Sequence, residues 1–134
     1  MITGKVAAIV ASLTVIVAVF VGLILAGSPG EERLRLLDEL RTSDLIQLSG
    51  AITAYWEDSD RLPAELAILV DGLRLRSLPT DPETEALYSY EIMDASSYKL
   101  CAVFAGDSDE LLAQDFWSHT SGLVCFNLRV EPKG

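Results

Sequence analysis

Three observations predict an α+β fold. Residues Val6–Ala26 carry no charged side chain. Apolar residues then recur at helical spacing from Leu34 to Tyr55. From Tyr88 onward, three runs alternate apolar and polar side chains with period two. The predicted order is an N-terminal transmembrane helix, an amphipathic spine helix, a short second helix, and a three-stranded antiparallel sheet packed on the spine helix. Of the 134 residues, those outside the apolar run are enough for about one small domain with a single core.

The apolar run, VAAIVASLTVIVAVFVGLILA, has only Ser12 and Thr14 as polar side chains. As a helix its length matches a hydrocarbon core of about 30 Å. Residues 1–5 are expected to form a short N-terminal tail, 6–27 the transmembrane helix embedded in the lipid bilayer, and 28–134 a separate domain. A cleaved signal peptide has a shorter apolar region of about 7 to 15 residues, and Pro29 directly follows the bond after Ser28 that cleavage would need. A lipoprotein signal needs a cysteine where Ser28 stands. The segment is therefore expected to stay as an anchor.

All 20 acidic residues follow the apolar run, with all but Lys5 of the 10 basic ones. So acidic a surface repels phosphate backbones, and nucleic acid is not an expected partner. Anionic headgroups repel it too, so the domain is expected to stand off the bilayer. Two signals for topology oppose each other. Arg33, Arg35 and Arg41 lie close after the span, and a count of Lys and Arg places the domain in the cytoplasm. Cys101 and Cys125 are the only cysteines, and an even pair in a small domain suits an oxidising compartment. The expectation adopted is a single pass through the inner (cytoplasmic) membrane with the C-terminal domain extracytoplasmic.

Ser28-Pro29-Gly30-Glu31 has the signature of a helix start, with serine as N-cap, proline at the first helical position and glutamate positioned for a capping box. Leu34, Leu37, Leu45, Leu48, Ile52 and Tyr55 then share one stripe. The stripe lapses around Arg41 and Asp44, so the second half of the helix is expected to be the better buried. The polar run Asp58–Arg61 ends it. After Pro63, Ala64–Leu73 suits a short helix closed by Gly72. LPTDPETEALYSYE, with two prolines and no periodicity, reads as an ordered loop entering a strand.

Tyr88, Tyr90 and Ile92 share one strand face; Tyr98, Leu100, Ala102 and Phe104 share the next; Val124, Phe126, Leu128 and Val130 give the third. If these sets face the helix, Cys101 falls with Lys99 and Val103 on the opposite face, and Cys125 with Asn127 and Arg129 on that same face. Both thiols then point the same way. A cross-strand disulfide is expected, contributing about 3.5 kcal/mol in the chain-entropy description. That is a large share of the roughly 5 to 10 kcal/mol of net stability in a small domain.

This order resembles the type IV pilins and, most nearly, the major pseudopilins of type II secretion. Their helix ends in an apolar pair, Tyr, an acid, a turn and Tyr-Pro, matched by Ile52, Tyr55, Asp58, Arg61, Leu62, Pro63 and Leu66. Their Pro-x-Asp-Pro loop entering Tyr-x-Tyr is matched by Pro79, Asp81, Pro82, Tyr88 and Tyr90. The resemblance covers roughly Glu31 to Cys101. Tyr55 and Trp56 supply apolar area at the helix end while their polar atoms reach water or a loop carbonyl, and Pro63 and Pro82 stiffen the connections. The resemblance departs at the N-terminus. The prepilin peptidase motif of Gly followed by Phe-Thr-Leu-x-Glu is missing, Gly4 being followed by Lys5-Val6-Ala7. What it implies is a pilin-like domain on a non-prepilin anchor.

Two further clusters have chemistry to weigh. Asp107, Asp109 and Glu110 in GDSDE offer hard oxygen ligands for Ca²⁺, and the pseudopilin resemblance implies calcium in a late loop. The EF-hand pattern fails at Leu111 and Leu112, and a solvated acidic loop ranks above calcium; no other cofactor is expected. His119, the only histidine, lacks convergent partners in FWSHTSG. It reads as a loop residue beside Phe116 and Trp117. With no phosphate loop, no metal cluster and no convergent titratable set, the chain is not expected to be an enzyme. The expectation is a membrane-anchored envelope protein with a structural or protein-interaction role, linked to secretion or pilus-type machinery, with other envelope proteins as partners. The alternative is a membrane-tethered small-ligand or glycan-binding module using Trp117 and Phe116.

Overall fold

The computed structural model describes residues 2–108 and 115–131. The elements are α1 (Ile2–Leu25), α2 (Pro29–Ser59), a 3₁₀ turn (Leu66–Leu69), β1 (Ser89–Ile92), β2 (Ser97–Phe104) and β3 (Gly122–Arg129). The chain divides into two compact units, residues 1–33 and 34–134.

The first unit contains α1, which buries no residue and is long and apolar enough to cross a membrane. The helix begins at Ile2, ahead of the apolar run, and includes Lys5. The Thr14 hydroxyl donates to the Val10 carbonyl at 2.9 Å, which satisfies that polar group inside the helix.

In the second unit, α2 buries Asp38, Arg41, Leu45, Leu48, Ala51, Ile52 and Trp56. The spacing of three and four puts all seven on one face. The second half is the better buried, as expected; N-terminal to Leu45 the apolar stripe gives way and the buried positions are the charged Asp38 and Arg41. Leu34, expected on the stripe, is exposed. The helix ends at Ser59, and Asp60 takes a left-handed conformation (φ 52°) while its N–H donates to the Trp56 carbonyl.

The short α-helix predicted for Ala64–Leu73 is instead a single 3₁₀ turn over Leu66–Leu69. Leu66 and Leu69 are its buried residues, and 3₁₀ geometry eclipses side chains three apart. Asp71 stops any continuation by accepting the N–H groups of Leu73 and Arg74 at 2.8 and 2.7 Å, in place of helical carbonyls. Gly72 is not a helix cap. It sits at φ 79° within a loop that its N–H closes on the Leu75 carbonyl.

The sheet is antiparallel in the order β1-β2-β3. Tyr90 pairs with Leu100, which pairs with Phe126, and Tyr98 pairs with Leu128. One hydrophobic cluster joins Leu45, Leu48, Ile52 and Trp56 of α2 to Tyr98, Leu100, Phe104 and Phe126 of the sheet and to Leu66, Leu69 and Leu75 between them. The other face carries Val103 opposite Leu123, both exposed.

Candidate functional site

The polar residues that reach the core form a network centred on Arg41. Its Nε and Nη2 donate to Asp81 at 2.6 and 3.2 Å, Nη1 to Asp38 at 2.8 Å, and Nη2 also to Glu83 at 3.0 Å. Asp38, Arg41 and Asp81 are all buried. The carboxylates have backbone donors as well. Asp38 accepts from Ala105 N and Gly106 N just beyond β2, and Asp81 accepts from Glu83 N and Thr84 N. The bond to Asp81 raises the Arg41 pKa against the opposing effect of burial. The same bond holds the Asp81 carboxyl well below the usual carboxylate range. Four of the five guanidinium N–H groups are engaged by carboxylates of the fold, and the network is a structural tie.

The landmark tyrosines are ties of the same kind. The Tyr88 hydroxyl donates to Asp44 on α2 at 2.7 Å, and the Tyr90 hydroxyl to the Pro63 carbonyl at 2.9 Å. Burial pushes the Tyr90 phenol up to about 12; burial and then the Asp44 bond raise that of Tyr88. The structure thus brings together Asp81 with Arg41, and Tyr90 with Pro63. Pro63 is buried, Pro79 is half-buried and Pro82 is exposed. Tyr55 is half-buried, with the Arg74 guanidinium 5.4 Å over its ring. Trp56 departs from expectation: it is buried, and its Nε1 reaches neither water nor a carbonyl among the described residues.

Cys101 and Cys125 are directly paired between β2 and β3, with Cα atoms 4.0 Å apart, and are joined by a disulfide. Lys99 and Asn127 are paired two residues along on the same face.

Of the acidic loop, Asp107 is exposed and its carboxylate accepts Ser121 N at 2.8 Å; Asp109 and Glu110 lie outside the described residues. Among the described residues no three His, Cys, Asp or Glu side chains are grouped to hold a metal. His119 lies in the loop after Phe116 and Trp117, as expected. Its ring stacks on Phe104 at 3.7 Å, and Nδ1 lies 3.2 Å from the Gly106 carbonyl. Trp117 is half-buried and packs on Phe126 at 4.9 Å, leaving Phe116 as the exposed ring of the pair. Trp117 therefore extends the core instead of forming an open stacking platform.

A groove of about 470 Å³ lies between α2 and the loop after Gly72. Asp44 and Gln47 form its helix wall, and Arg74, Arg76 and Ser77 its loop wall. Sequence reading missed it because its walls come from segments about 30 residues apart, and no periodicity links them.

The chain matches no protein-family model, no curated protein and no solved structure.

Proposed function

We propose that the chain is a single-pass protein of the cell envelope, whose 28–134 domain stands outside the inner membrane as a pilin-like module with a structural or protein-interaction role. The observation that carries this reading is the Cys101–Cys125 disulfide in a domain that follows an apolar helix, since a disulfide persists in an oxidising compartment. The acidic surface supports a domain held away from anionic lipid. The role is non-catalytic in this proposal: Arg41, Tyr88, Tyr90 and His119 are each engaged in holding the fold, and Asp107 is bound to a neighbouring backbone amide.

The test is thiol labelling of intact cells and spheroplasts with a membrane-impermeant reagent, before and after reduction. The proposal expects Cys101 and Cys125 to react only after reduction, from outside the inner membrane. Free thiols reached only after lysis would place the domain in the cytoplasm and end the envelope reading.

A further inference from the structure

The groove between α2 and the Gly72–Pro79 loop carries polar groups that the fold leaves unused. The loop itself is held without them. The N–H of Gly72 donates to Leu75 O and that of Leu75 to Leu69 O, while Leu73 and Arg74 donate to Asp71. These four N–H groups fix the first half of the loop, from Gly72 to Leu75. Arg74 is held through its two Nη atoms by Asp71 and Asp58, which fixes its place in the loop wall.

The charges in the groove are of both signs. Arg76 is exposed and forms no ion pair or hydrogen bond among the described residues, and the same holds for the side chains of Gln47 and Ser77. On the helix wall, Asp44 uses Oδ2 for the Tyr88 hydroxyl, and Oδ1 has no partner among the described residues. A simple anion would meet Asp44 as a like charge, and a simple cation would meet Arg76. A ligand carrying an ammonium and a carboxylate satisfies both, with the exposed side chains of Gln47 and Ser77 to bond its amide and carboxylate oxygens.

We propose that this groove binds a small zwitterion of dipeptide size, its carboxylate on Arg76 at the loop wall and its ammonium on Asp44 at the helix wall. The volume lies within the range of small-molecule sites, about 300 to 1,000 Å³. The site is independent of which compartment the domain occupies, so its failure leaves the envelope reading untouched, and the reverse.

The probe is L-alanyl-L-alanine, titrated calorimetrically into the full chain in a nonionic detergent beside its N-acetyl derivative and its C-terminal amide. Saturable binding of the free dipeptide is expected, weakened about tenfold or more by either cap. In Arg76→Gln the amide is expected to bind as well as the parent dipeptide. In Asp44→Asn, where the amide oxygen still accepts from Tyr88, the acetylated form is expected to do so. Arg76 is exposed, so its variant keeps the test valid if the Asp44 variant fails to fold. Absence of saturable heat, equal binding of capped and free dipeptide, or unchanged discrimination in Arg76→Gln would each overturn the proposal.

Discussion

Replacing Arg41 by leucine tests whether the charged network holds the domain together. The guanidinium has an all but inaccessible side chain, 4% exposed, and ties Asp38 and Asp81, whose side chains are 8% and 10% exposed. Its removal leaves two carboxylates in the interior without their counter-charge. Breaking a buried pair in this way costs about 3 to 5 kcal/mol. The backbone donors that Asp38 and Asp81 retain keep the cost from rising further. Against a net stability of about 5 to 10 kcal/mol for a domain of this size, Arg41→Leu should lose about a third or more. Urea unfolding of the full chain in nonionic detergent, followed by tryptophan emission, measures the loss. Arg35→Leu is the control, since the Arg35–Glu39 pair is 55% and 58% exposed and should change stability by less than about 1 kcal/mol. The pH dependence adds a sign. Because Asp81 is depressed in the folded state, its contribution is present above its unfolded pKa, about 3.9, and is lost as pH falls below it. The gap between wild type and Arg41→Leu should therefore narrow as pH drops through about 4. A loss no larger than that of Arg35→Leu, or a gap independent of pH, would refute the reasoning.

Reduction of Cys101–Cys125, which spans a sequence separation of 24, should lower stability by about 3.5 kcal/mol; identical urea midpoints with and without reductant would count against it. Leu45 is fully buried in the cluster, and Leu45→Ala should cost about 2 to 5 kcal/mol by leaving a cavity, measured by the same unfolding curves. On the alkaline side, Tyr90 is raised to about 12 by burial, so the fold favours its neutral form. Stability should hold up to the unfolded tyrosine pKa, about 10, then fall by up to about 2 kcal/mol as pH rises toward the folded value. Tyrosinate absorbance with parallel urea curves checks this, and a flat stability across that window would contradict it.

The strands were legible because period two has few alternative explanations. The same alternation that put Leu100 and Phe126 on the helix side put both cysteines on the other face; their direct opposition is a matter of register, which alternation alone does not give. The second half of α2 was legible for a similar reason, as Leu45, Leu48 and Ile52 are apolar and recur at helical spacing. The first half was legible only as the less buried one, and its buried charges were not foreseen, because a charged residue in a helix normally faces water. What overrides that rule for Arg41 is Asp81, 40 residues further on, and no local pattern reports so distant a partner. The 3₁₀ turn was misread because helical composition alone does not show Asp71 turning its carboxylate onto Leu73 and Arg74. That single competing acceptor decides the backbone.

The buried face of α2 therefore does two jobs along its length. Toward the C-terminus, Leu45, Leu48, Ile52 and Trp56 supply apolar burial, which is strong but tolerant of small shifts along the helix axis. Toward the N-terminus, Asp38 bonds the chain leaving β2 and Arg41 bonds the loop before β1, while Asp44 receives Tyr88. These bonds are directional, and sliding the helix by a residue would break all three. Tyr90 adds a fourth tie at Pro63, beyond the helix C-terminus. The Pro-x-Asp-Pro and Tyr-x-Tyr landmarks thus have a physical meaning in this chain that needs no reference to assembly. Asp81, Tyr88 and Tyr90 are the points at which the loop and the first strand are pinned to α2 and the turn after it.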